Sequence, residues 1–88
     1  MYSEKVKIRY FGGLNSRPAT IFSETASKFQ SAIHVKYDGI LANGKSFLGL
    51  LSRQIHADDE IEIIAQGTDE IDAVKKLVKL VESNFSDY

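Results

Sequence analysis

Apolar residues recur along this chain with two different periods, and the switches between them predict its elements. From Lys5 to Tyr10, Val6, Ile8 and Tyr10 alternate with Lys5, Lys7 and Arg9, the period-two pattern of a half-buried strand. Phe11-Gly12-Gly13 breaks it. Ala19, Phe22, Ala26 and Phe29 follow at three- and four-residue spacing, which predicts a helix with Pro18 in its first turn and Asn15 or Ser16 as its cap. Ile33, Val35 and Tyr37 then alternate with Ala32, His34 and Lys36. Asp38-Gly39 is a two-residue hairpin signal leading into a third, antiparallel strand at Ile40-Leu41-Ala42.

Ser46 to Gln54 reads as a short helix with Ser46 as a candidate cap, ending before the polar turn around Asp58-Asp59. Glu60 to Gln66 supplies a fourth strand through Ile61, Ile63 and Ala65. A last helix starts from about Asp69 with the apolar stripe Ile71, Val74, Leu77, Val78 and Val81. Its acidic residues Asp69, Glu70 and Asp72 come first and Lys75, Lys76 and Lys79 later, as the helix dipole favours. Ser83 to Tyr88 is expected to fray. The order βαββαβα, with short connections, predicts an α+β fold of one sheet with helices on a single face.

The composition narrows the function. Its 88 residues, 43% hydrophobic and 26% charged, suit one small domain over residues 1–88. The 11 basic and 12 acidic residues are spread along the chain and sum to −1, which leaves no basic footprint for nucleic acid. The absence of cysteine removes thiol catalysis, disulfides and thiolate metal sites, and suits a reducing compartment. No secretory signal and no membrane-spanning apolar run are seen, so a soluble, cytoplasmic protein that needs no membrane, metal or cofactor is expected.

One short motif needs weighing. Gly39-Ile40-Leu41-Ala42-Asn43-Gly44-Lys45-Ser46 satisfies the phosphate-loop pattern, in which backbone N–H groups, a lysine and a helix start hold a nucleotide. Here Gly39 belongs to the hairpin, Ile40-Leu41-Ala42 reads as strand, and no Asp ends an apolar run to hold a metal. The match is expected to be accidental.

Gly13-Leu14-Asn15-Ser16-Arg17-Pro18-Ala19, Asn43-Gly44-Lys45-Ser46-Phe47-Leu48-Gly49-Leu50-Leu51 and Ala65-Gln66-Gly67-Thr68-Asp69-Glu70 together resemble the HPr family of phosphocarrier proteins over nearly all of the chain. The resemblance implies an open-faced sandwich with a four-stranded antiparallel sheet and three helices on one face. It also implies that Asn15 occupies the position of the phosphate-accepting histidine. A carboxamide has no basic ring nitrogen to attack a phosphoryl donor, so no catalytic residue remains, and the bland role for Asn15 is a helix cap. His34 and His56 both fall outside the matching loop and read as surface or structural residues.

Ser46 matches the family's regulatory serine. In this the chain is similar to the Crh-like branch, whose members lack the histidine and are phosphorylated on the serine by an ATP-dependent HPr kinase/phosphorylase. The product serves there as corepressor of the catabolite control regulator CcpA. The resemblance therefore implies a non-enzymatic regulator with partner-binding residues Asn15, Arg17, Thr20, Lys45, Ser46, Phe47, Leu48 and Leu51. Phe47 and Leu48 are adjacent and cannot both face inward, so at least one is expected to be exposed. Ser16 and Gly44 stand where the family usually has alanine. The alternatives are a silent HPr paralogue that binds the same partners without relaying phosphate, and a nucleotide binder built on Gly39 to Ser46. Monomer and homodimer both remain open, the first strand being free in principle to swap.

Overall fold

Each run of alternation becomes a strand and each three-to-four spacing a helix. The computed structural model describes residues 1–86. In chain order it contains β1 (Tyr2–Lys7), α1 (Ser16–Ala26), β2 (Ala32–Tyr37), β3 (Ile40–Asn43), α2 (Phe47–Leu51), β4 (Glu60–Gln66) and α3 (Glu70–Glu82). The strands form one antiparallel sheet in the order β1-β4-β2-β3, with Val6 opposite Ile61 and Val35 opposite both Ile63 and Ala42. Those residues, with Ile33 and Ala65, are buried under the helices against Phe22, Leu50, Val74 and Leu77. The intervening residues, among them Lys5, Lys36, Glu60 and Glu62, lie on the other, open face.

The β2–β3 hairpin turns on Asp38 and Gly39, both left-handed at φ 54° and 78°, as a primed two-residue turn requires. β1 starts at Tyr2, earlier than the alternation suggested, and stops at Lys7. Ile8 continues the pairing against the 58–59 turn, its N–H donating to the Asp59 carbonyl at 2.8 Å. Tyr10 lies beyond the strand. α1 ends at Ala26, and Phe29 leaves the helix but still packs on the core. α2 stops at Leu51, short of the expected Gln54, whose backbone is left-handed (φ 55°).

Two expectations for the last helix are corrected. Its buried stripe is Ala73, Val74, Leu77, Leu80 and Val81, whereas Ile71 is 54% exposed. At 3.6 residues per turn Ile71 lies roughly 120° around from Leu77, off the packed face. Ser83 to Ser86 does not fray. Asn84 and Phe85 adopt left-handed φ, the Phe85 N–H bonds to the Leu80 carbonyl at 2.8 Å, and the Phe85 ring is buried edge-on to Tyr10 with centroids 5.7 Å apart. This closure satisfies a terminal carbonyl and buries an aromatic, and both offset the entropy that fraying would release. Asp87 and Tyr88 lie outside the described residues.

Candidate functional site

Two helix starts carry the residues singled out by the sequence. At the first, Asn15 is the cap position of α1 by backbone, its carbonyl accepting from the Ala19 N–H at 2.9 Å, yet its side chain makes no capping bond. The expected side-chain cap is therefore not made. The amide nitrogen instead folds back over Gly12, 2.9 Å from where a β-carbon would sit. The Gly13 N–H closes a turn on the Tyr10 carbonyl at 2.8 Å, and the Leu14 N–H donates to the Ile55 carbonyl at 2.9 Å. Gly13 is left-handed (φ 76°), and a β-carbon there would stand 2.3 Å from the Ile55 oxygen. No side chain fits between the two segments.

That contact brings His56 beside the loop. Distant in sequence, its backbone abuts Gly13 while its imidazole is 78% exposed. The turn that carries it is fastened from below. Asp59 accepts from the Tyr37 hydroxyl at 2.6 Å and from the His56 N–H at 2.9 Å. These bonds, the Tyr37 hydroxyl foremost, hold the Asp59 carboxyl below its ordinary range and push the Tyr37 phenol up. Arg53 lies over the Tyr37 ring at 5.9 Å and donates to its carbonyl at 3.3 Å. His34, by contrast, is in β2 on the open face, opposite Ile64 and Asn43 and away from both helix starts.

At the second start, Ser46 caps α2 with its side chain, the Oγ accepting from the Gly49 N–H at 3.0 Å. Asn43 arranges the approach, its carbonyl accepting from the Ser46 N–H and its side chain from the Lys45 N–H. The Lys45 ammonium reaches across to the Phe29 carbonyl at 2.7 Å. Leu48 is 72% exposed, Phe47 and Leu51 are half-buried, and Leu50 fills the core. α1 and α2 pack against each other, so exposed Arg17 and half-buried Thr20 adjoin this surface. The Thr20 hydroxyl is spent on the Ser16 carbonyl at 2.8 Å. Phe11, 96% exposed at the tip of the turn before Asn15, was missed by periodicity because it belongs to neither pattern.

The phosphate-loop pattern does not become a phosphate loop. Gly39 is in the hairpin turn and Ile40–Asn43 is strand. The Gly44 N–H is tied to the Ile33 carbonyl at 2.7 Å, the lysine is committed to Phe29, and the helix that follows has five residues. Among the described residues no group of three His, Asp or Glu side chains could hold a metal ion, and no helix is long and apolar enough to cross a membrane.

The model of the PTS HPr component phosphorylation site matches residues 2–83. The chain belongs to the HPr family. Among HPr-family relatives, the HPr-like protein Crh of Bacillus subtilis (strain 168) is 39% identical over 82 residues, which span 93% of this chain and 96% of Crh. The solved structure of HPr-C-His from Thermoanaerobacter tengcongensis superposes with a TM-score of 0.95 at 39% identity, covering 100% of this chain and 99% of that one. Selenomethionyl B. subtilis Crh, described as a swapped, intertwined dimer, gives a TM-score of 0.76 at 38% identity over 96% of this chain and 97% of its own. HPr-like sandwich topology and a Crh-like sequence thus coincide in one HPr-family chain, and both helix starts fall inside the matched span.

Proposed function

We propose that this protein is a non-enzymatic, cytoplasmic HPr-family regulator, acting as a single domain over residues 1–88 and switched by phosphorylation of Ser46. The observation that carries the reading is the Ser46 hydroxyl at the cap of α2, next to the exposed side chain of Leu48. A phosphate there adds roughly −1.5 to −2 charge units at pH 7 beside N–H groups that favour an anion. Lys45 is held on the Phe29 carbonyl, so the new charge changes the surface without a local lysine already folded over it. Asn15 takes the family's histidine position and cannot replace its chemistry, since an amide nitrogen is not a nucleophile towards phosphorus.

The implied partners are an HPr kinase/phosphorylase, which would modify Ser46, and a CcpA-like regulator, which would read the product. Arg17, Thr20, Phe47, Leu48 and Leu51 on the adjoining helices form the docking surface, with Asn15 and Lys45 at its margins. Self-association as a homodimer is compatible with this role, because dimeric relatives exist in the same fold. The test is phosphopeptide mapping after incubation with HPr kinase and ATP: modification is expected at Ser46 alone. Modification elsewhere, with Ser46 untouched, contradicts the reading.

A second reading has one observation in its favour. The 10–15 loop is built tightly on Ile55 and His56, and Arg17 stands exposed at the helix start. A silent paralogue that occupies phosphotransferase partners would need that scaffold and no nucleophile. It predicts competition with HPr for Enzyme I even when Ser46 is unmodified.

A further inference from the structure

The open face of the sheet changes character from one side to the other. Over β1 and the start of β4 it is a ladder of opposite charges, with Lys5 opposite Glu62 and Lys7 opposite Glu60. Towards β2 and β3 it turns apolar, with Ile64 beside His34 and Leu41 beside Lys36. A depression of about 480 Å³ lies there. Ile64, Ala32 and Leu41 form its apolar walls, and the Met1 side chain borders it. At the hairpin Gly39 leaves one end open, since nothing stands within 4 Å of where its β-carbon would be.

The ionisable side chains that line this depression are both basic, His34 and Lys36, with the Gln66 amide alongside. Nearby hollows differ: one carries Glu60 and Glu82, another Glu60, Glu62 and Asp38. Glu62 is the partner of Lys36 across the β2–β4 ladder and would be its natural counter-ion. It turns instead towards β1 and accepts from the Ser3 hydroxyl at 2.9 Å. Among the described residues neither His34 nor Lys36 enters an ion pair, whereas the Met1 amino group is spent on Glu70 at 3.0 Å. An apolar hollow with a few unspent polar groups at one side is the usual make-up of a small-molecule site.

We propose that this depression binds a small aliphatic monocarboxylate, its head group held by Lys36, His34 and Gln66 and its tail laid on Ile64, Ala32 and Leu41. Charge complementarity selects the head group. One full positive charge with neutral donors beside it matches a single negative charge shared over two oxygens. A phosphate dianion would keep an unmatched charge and gain nothing from the apolar walls, and a neutral lipid would leave the ammonium unused. A macromolecular partner needs roughly 1,000 Å² of interface, whereas 480 Å³ is the scale of a small ligand. The site is open to water and its lysine is exposed, so binding is weak, with Kd on the order of 1 mM. It lies on the face away from both helix starts and does not rest on the reading of Ser46.

The test is an amide NMR titration of the full chain with sodium octanoate, kept below its micellar concentration, with acetate and octanol as separate arms. Octanoate is expected to give saturable shifts centred on Ala32, His34, Lys36, Leu41 and Ile64. Acetate, which lacks the tail, and octanol, which lacks the charge, should each bind at least threefold more weakly. Lys36→Gln is expected to weaken octanoate about twofold to fivefold, and Leu41→Ser about as much, both with the remaining amide spectrum unchanged. Lys7→Gln, on the charged side of the same face, should leave binding as it was. No saturable shift, shifts centred on α1 and α2 instead, equal binding of octanol or acetate, or indifference to Lys36→Gln would each overturn the proposal.

Discussion

The two helix starts of this domain are built alike in backbone and differently in side chain. Both are entered from an extended residue with a short polar side chain, Asn15 before α1 and Ser46 before α2. Both residues accept the first helical bond on their carbonyls, but Ser46 also uses its side chain to cap its helix, whereas Asn15 turns its amide over Gly12 and leaves the first N–H groups of α1 without a side-chain cap. The first start is held by its neighbours, through Gly13 and Leu14 against Ile55. The second is held by the residue that is also the candidate for modification. A phosphate on Ser46 would therefore act on a group the fold already uses, whereas a change at Asn15 acts on a group it does not.

The largest expected effect breaks the first start outright. Gly13→Ala places a β-carbon on the Ile55 carbonyl in a left-handed backbone, and is expected to cost about 2–4 kcal/mol of unfolding free energy in urea titrations. A loss under half of that would mean the loop is less tightly seated on Ile55 than described. Next, Ser46→Ala removes the cap of α2 and should cost about 1 kcal/mol, while Asn15→Ala should stay within about 0.5 kcal/mol of the parent. Equal losses would erase the contrast. Asn15→His sharpens it from the other side, because it is expected to make the chain a substrate for Enzyme I and phosphoenolpyruvate at position 15.

A smaller effect separates both starts from the rest of the molecule. The Asp69 carboxylate binds Ser31 through its hydroxyl and N–H and also takes the Gln30 N–H, and these bonds lower its pKa below the ordinary 3.8. Glu4 is lowered from 4.5, first by the Tyr2 hydroxyl and then by Lys75, and Glu70 likewise, first by the Gly67 N–H. A folded pKa below the unfolded one stabilises the protein above the ordinary value and loses that contribution as pH falls through the folded one. The urea midpoint should thus be flat from neutral pH to about 5 and fall below about 4. Asp69→Asn should lower the neutral midpoint and flatten the acid limb. An unchanged limb would show that this carboxylate does not link the start of α3 to the connection between α1 and β2.

Much of this was legible in the sequence because it depends on local periodicity. The alternation of Ile33, Val35 and Tyr37 and the Asp38-Gly39 turn specify β2, β3 and their register without reference to anything distant. Ser46 as a cap follows from residue type and position alone. What could not be read depends on contacts between remote segments. His56 reaches the Gly13 loop only through packing of the 55–56 backbone, and Phe85 is buried only because the chain reverses at Asn84. Ile71 looked like part of the stripe since it sits three residues before Val74. Only the position of the sheet decides that Leu80 and Ala73 are used instead. The phosphate-loop pattern failed for the converse reason, a match of letters across a strand that the hairpin had already claimed.

The most direct measurement offers the purified chain to HPr kinase with ATP and, separately, to Enzyme I with phosphoenolpyruvate, and reads bound phosphate by intact mass. One phosphate from the kinase, none from Enzyme I, and loss of the kinase product in Ser46→Ala is the predicted result. Phosphate accepted from Enzyme I by the unaltered chain, or kinase labelling that survives Ser46→Ala, would contradict it.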